Sequence, residues 1–284
     1  MKLIFDTFSG RPNPALTASG LLEKALAELL GDLRMLGIST PMPGRLGYRG
    51  LRLELPVSEA FRHGVAPVSI IPALTASAHL DLLRAIASII EGIGEFFGDA
   101  LSEIARIIRA IIRAILGAAS GPATPGSRSP TACAYERLTF DPAPWNDPAY
   151  IATNNCYAYA ANKRASYPSK PQPGTASGRS APLDLSNGDD VAAWSKRDGA
   201  HIVTDCLPAT DIPRGLVALV IWPGVDYHWY RHQSNCWGHK PGGTPATNLD
   251  HSGRLITDPS SCDRWGYTIF HGYLLMGDKQ NVAA

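Results

Sequence analysis

Asn154-Asn155-Cys156-Tyr157-Ala158-Tyr159-Ala160 and, downstream, Asp226-Tyr227-His228-Trp229-Tyr230-Arg231 decide how this chain is read. The first stretch puts a cysteine at the start of a predicted helix. The second puts a histidine inside a predicted strand. Unpaired backbone N–H groups and the dipole at a helix start favour a thiolate, and a nearby imidazolium favours it further. Cys156 is therefore a candidate nucleophile and His228 its candidate base.

The surrounding pattern supplies a frame for that pair. A helix is expected over about 154–164 and another over Asp189–Arg197. Strands are expected at His201–Thr204, Leu216–Trp222, Tyr227–Arg231, around Trp237 and over Tyr267–Met276. Helix first and antiparallel strands after is an α+β order, and it makes residues 131–284 a domain. The Pro/Gly/Ser-rich stretch Pro168–Pro182 reads as a long surface excursion, and Gly121–Pro130 as a linker. From His79 to Gly117 the polar residues recur every three or four positions, a helical period with a wide apolar remainder; Gly92, Gly94 and Gly98 mark a bend. This gives an amphipathic helical hairpin over 77–120, packed on its own protein or inserted into a partner or membrane interface. No run of about 18 residues in it is free of charge, which argues against a plain transmembrane span. Residues 1–76 read as a small α+β unit, with a helix over Leu21–Leu30 and strand alternation over Tyr48–Leu55. Arg11, Arg45, Arg49 and Arg52 in it are scattered surface cations or a basic recognition face.

Composition narrows the classes of function. Of the 284 residues 45% are hydrophobic and 18% charged, which suits folded domains with real cores. Twenty-six Lys and Arg against 25 Asp and Glu leave a formal net charge of +1, so no general field draws nucleic acid or an anionic membrane. No nucleic-acid partner is expected. Met1–Asp6 holds three apolar residues before an acid, without the apolar core and cleavage site of a secretory signal, so any export is expected by another route. The five cysteines, Cys133, Cys156, Cys206, Cys236 and Cys262, fit one working thiol plus four that pair or stay reduced.

The stretch from Asn154 to His239 resembles the CHAP and NlpC/P60 branch of the papain-like cysteine peptidases and amidases. The likeness rests on Asn155-Cys156-Tyr157-Ala158-Tyr159-Ala160 with Asn162-Lys163-Arg164, on Ala192-Ala193-Trp194 with Asp198-Gly199, and on Pro213-Arg214-Gly215 leading the apolar strand before His228. It covers roughly half the chain, and its strength lies in the order of these elements. The resemblance implies a papain-like domain with Cys156 as nucleophile, His228 as base and a third polar residue on the next strand. His239, eleven residues after His228, takes that third place; Asp258, Asp250 and Asn248 are the alternatives. Asn155 or Asn154 is a candidate oxyanion donor or helix cap. The implied reaction is acyl transfer through a thiolate, with no cofactor. The implied substrate is peptidoglycan peptide.

Rival readings follow from the same residues. A toxin or effector that cleaves or deamidates a protein would use the helices of 79–117 for delivery. A non-catalytic binding module would keep the fold with an inert Cys156. His228, His232, Cys236 and His239, spaced 4, 4 and 3, would line one face of a helix as zinc ligands, although their aromatic surroundings favour a strand. Tyr157, Tyr159, Tyr227, Trp229, Tyr230 and Trp237 supply core or the wall of a groove.

Overall fold

The computed structural model describes residues 2–6, 10–11, 13, 15–20, 22–23, 50–54, 68–72, 83–87, 89–90, 104, 106–112 and 131–284. The chain forms two compact units. The first comprises Met1–Thr7, Asn13–Met42 and Tyr48–Ala119, and the second comprises Phe8–Pro12, Pro43–Gly47 and Ser120–Ala284.

In the first unit, strands β1 (Lys2–Asp6), β2 (Ala15–Thr17), β3 (Gly50–Glu54) and β4 (Val68–Pro72) form an antiparallel sheet in the order β2-β1-β3-β4. Leu3, Ile4 and Phe5 are buried in succession, so β1 is covered on both faces. The expected strand over Tyr48–Leu55 corresponds to β3. Residues 83–87, 89–90, 104 and 106–112 are helical, and Leu83, Ile86, Ile90, Ile107, Ile108 and Ile111 are buried while Arg84 and Arg109 are exposed. The amphipathic period thus sorts apolar from charged side chains within the protein, and these residues belong to the same unit as the N-terminal sheet. Among the described residues no helix is long and apolar enough to cross a membrane. The expected bend at Gly92–Gly98, the linker 121–130 and most of the helix Leu21–Leu30 lie outside the described residues.

The second unit is α+β, with a five-stranded antiparallel sheet. Two helices, α1 (Cys156–Ala160) and α2 (Asp189–Arg197), precede strands β5 (His201–Ile202), β6 (Gly215–Trp222), β7 (Asp226–His232), β8 (Trp237–His239) and β9 (Ile269–Met276). Strand order is β5-β9-β6-β7-β8, so β9 returns to the middle and leaves β6 flanked on both sides. Leu216–Ile221 are fully buried without interruption, as expected for a strand covered on both faces.

Helix α1 is shorter than the expected 154–164. Asn162 takes a positive φ of 55°, a conformation that asparagine tolerates better than most residues, and ends the helix. The buried guanidinium of Arg231 secures that end by donating to the Tyr159 carbonyl at 2.8 Å and to Asn162 Oδ1 at 2.7 Å. The stretch 168–182 runs at the surface at both ends, as its composition predicts, but is anchored in the middle. Pro171, Pro173 and Gly174 are buried, and the buried Asp198 carboxylate accepts from Gly174 N and Ser177 Oγ at 2.6 Å each and from Tyr157 OH at 2.7 Å. A carboxylate removed from water requires such donors, so Asp198 anchors the middle of the stretch. Cys133 and Cys206 form a disulfide, which leaves Cys156, Cys236 and Cys262 as thiols.

Lys240 is a buried cation that draws the loop before α1 onto the end of β8. Its ammonium donates to the carbonyls of Ile151 (2.6 Å), Asn154 (2.6 Å) and Gly242 (2.7 Å). Replacing it with methionine keeps the volume but strips donors from three buried carbonyls, each costing about 1–3 kcal/mol when unsatisfied. Lys240→Met is expected to lower stability by roughly 3 kcal/mol or more, read as a fall in the urea midpoint at unchanged slope.

Candidate functional site

Asn155 caps α1: its Oδ1 accepts from Tyr157 N and Ala158 N, both at 3.2 Å. The cap seats Cys156 in the first turn, where the thiol is fully buried among Tyr157, Ala160, Val191, Leu219, Tyr227 and Trp229. Burial pushes the thiol well above its ordinary range, and the Asp226 carboxylate pushes it further; Lys170 and the backbone at Trp229 oppose this only in part. A thiol so placed is protonated at neutral pH, the opposite of the expected thiolate. Asn154 does not cap. Its Nδ2 donates to the carbonyls of Tyr150 (2.9 Å) and Ala165 (2.7 Å), bracing the loop.

Successive side chains on a strand point to opposite faces. On β7, Tyr227 and Trp229 pack with Cys156 on the helix side, so His228 lies on the other face. There its ring meets Tyr230 (4.8 Å), His239 (5.0 Å) and Tyr267 (5.8 Å). The expected Cys156–His228 pair is therefore corrected: the sheet separates the two side chains, and His228 is not the base of Cys156 in this structure.

The pairing of His228 with His239 is present as expected. Tyr230 stands opposite His239 in the β7–β8 register, which makes His228 a diagonal neighbour of His239 on one face. His228 Nε2 lies 2.8 Å from His239 Nδ1, and His239 Nε2 lies 2.9 Å from the Leu249 carbonyl. A carbonyl only accepts, so His239 carries its proton on Nε2; its Nδ1 then accepts from the Nε2–H of His228 when both rings are neutral. Burial lowers the His239 pKa to about 4, against small opposing effects of the Leu249 carbonyl and Asp250. The alternatives to His239 are engaged with other partners. Asp258 accepts from Tyr273 OH and Ser260, Asp250 accepts from the backbone of Arg254 and Asp263, and the Asn248 amide approaches Cys236 at 3.8 Å.

The four residues of the zinc reading do not share a helix face. His228, His232 and His239 sit on two strands rather than one helix, and among the described residues no three His, Cys, Asp or Glu side chains converge to hold a metal ion. The ring of His232 instead stacks on Trp237 at 4.6 Å. Cys262 is also held protonated, chiefly by burial, its pKa pushed up to about 12.

No protein-family model matches the chain, and no solved structure matches it. It is similar to the insoluble matrix shell protein 1 of Ruditapes philippinarum, 40% identical over 144 residues that make up 50% of this chain and 93% of that protein. The chain belongs to the family of insoluble matrix shell protein 1. Nearly the whole of that relative is thus represented here, whereas half of this chain extends beyond the match.

Buried His239 gives stability a defined pH dependence. In the unfolded chain a histidine binds a proton near pH 6.5, whereas native His239 resists protonation until about pH 4. Between these values the unfolded state holds more protons, so stability falls as pH drops through this window, by roughly 3 kcal/mol in all. Urea midpoints should decline from about pH 6.5 to about pH 4, and His239→Gln should flatten that decline.

Proposed function

We propose that this protein is a structural component of an extracellular matrix and that its C-terminal domain, residues 131–284, is a binding module rather than a working thiol hydrolase. The observation that carries the reading is the placement of Cys156, wholly buried, held protonated, and separated by the sheet from His228. Two further facts support it. The relative is by name an insoluble matrix shell protein, and the Cys133–Cys206 disulfide suits an oxidising compartment. The order of elements, a cysteine helix ahead of antiparallel strands, supports a papain-like ancestry for the domain.

A second reading, amide hydrolysis by Cys156 on peptidoglycan or protein, draws on two observations. His228 and His239 meet at the spacing that the resemblance requires. The Nδ2 of Asn155, the residue before the cysteine, donates to a backbone carbonyl, that of Gly10, at 2.7 Å, as an oxyanion donor would. This reading needs a rearrangement that brings an imidazole to the thiol.

Thiol labelling separates the two. With iodoacetamide at about pH 6, only a thiol of depressed pKa reacts quickly. Native Cys156 is expected to stay unlabelled, while the unfolded chain labels at all three free cysteines once the pH is raised to about 8.5. Selective labelling of native Cys156 that is lost in His228→Ala would sink the binding-module reading and install the hydrolase.

A further inference from the structure

Residues 10 and 11 are held by the C-terminal domain in the way a receptor holds a peptide. Both belong to the second unit, yet the side chains that hold them lie 145 to 217 positions away in sequence. The backbone N–H groups of Gly10 and Arg11 donate to the two oxygens of the Asp226 carboxylate, at 3.3 and 3.2 Å. The Gly10 carbonyl accepts from Asn155 Nδ2 at 2.7 Å and Gln172 Nε2 at 2.5 Å, and lies 3.1 Å from Tyr227 OH, whose proton it shares with Gln172 Oε1. The Arg11 carbonyl accepts from Lys170 Nζ at 3.2 Å, and the Arg11 guanidinium donates to the Val225 carbonyl at 2.5 Å. Every backbone polar group of the dipeptide is thereby bound.

The holding groups make a built site. Asn155, Asp226 and Tyr227 are fully buried, and burial with nearby negative charge keeps the Tyr227 hydroxyl protonated as a donor. Asp226 is braced in turn by Tyr267 OH at 2.6 Å. The site also selects. Any Cβ on residue 10 would fall within van der Waals contact of the Tyr227 ring, so glycine alone fits there. The arginine is read by its guanidinium, which only a long forked donor brings to the Val225 carbonyl.

We propose that Asp226, Tyr227, Asn155, Gln172 and Lys170 form a recognition site for a Gly-Arg peptide held in a bend. Gly10-Arg11 is its intramolecular ligand, replaceable by the same dipeptide on another chain. Because every contact is non-covalent and remote in sequence, an untethered segment makes the same bonds. The tethered copy competes with any ligand in trans, so the site accepts such a ligand once its own segment is displaced.

The test uses the full chain and a fluorescent peptide spanning residues 6–15, Asp-Thr-Phe-Ser-Gly-Arg-Pro-Asn-Pro-Ala. Two variants empty the site by different means: Gly10→Leu by collision with Tyr227, and Arg11→Glu by repulsion from Asp226. Fluorescence anisotropy should show each variant binding the peptide at least tenfold more tightly than the wild-type chain does, and peptides with Leu for Gly or Ala for Arg should lose at least tenfold. Equal binding by wild type and variants, or indifference to the Gly→Leu change in the peptide, overturns the proposal. So does unfolding of both variants, which would make residues 10 and 11 a fixed part of the domain's core. The inference does not rest on the matrix reading, since thiol labelling and peptide binding are separate readouts.

Discussion

Strand β7 is covered on both faces, and its side chains alternate with period two; the chemistry of the C-terminal domain is divided by that constraint. Tyr227, Trp229 and Arg231 face the helices, where they wall in Cys156 and secure the end of α1. His228 and Tyr230 face the other way, toward β8 and the aromatic layer built from Trp222, Trp265, Tyr267, Phe270 and Tyr273. A shift of one residue in register would exchange the two sets and put a histidine on the cysteine. The buried run of β6 beside it, closed on its other edge by β9, leaves no slack for such a shift.

Around this strand the domain buries several charges and surrounds them with backbone groups and neutral side chains. Asp198 takes Tyr157, Ser177 and Gly174 N; Lys240 takes three carbonyls; Asp226 takes Tyr267 and two amides; Arg231 takes a carbonyl and Asn162 while lying over the Tyr159 ring at 4.3 Å. Breaking such an arrangement strands a charge or its donors in a medium that solvates them poorly. That makes these residues organisers: Asp198 anchors the middle of 168–182, and Lys240 sets the loop that carries Asn154 and Asn155. Through that loop the cap on α1, and hence the position of Cys156, is fixed.

A polar site can occupy a position where the sequence points to a nucleophile. The Asn155 amide does two jobs, capping α1 with its oxygen and holding a carbonyl with its nitrogen. In a thiol hydrolase that nitrogen would face a reacting carbonyl. Here it faces a glycine of the same chain beside a protonated, enclosed thiol.

Periodicity and local chemistry alone determined much of this protein. The limits of α2 at Asp189–Arg197, the strands near 215–222, 226–232 and 269–276, and the meeting of His228 with His239 across a short hairpin follow from residue spacing, because they depend on neighbours in sequence. The facing of β7 did not follow. An aromatic run such as Tyr227-His228-Trp229-Tyr230 is apolar on both sides, so its alternation carries no sign of which side meets the helix. Nor did composition reveal that Lys240, Asp198 and the middle of the Pro/Gly/Ser stretch are buried, since burial of a polar group depends on partners supplied from elsewhere in the chain. The site around Gly10 is the extreme case: its donors come from positions 155, 170, 172, 226 and 227, and only the tertiary fold brings them to one dipeptide.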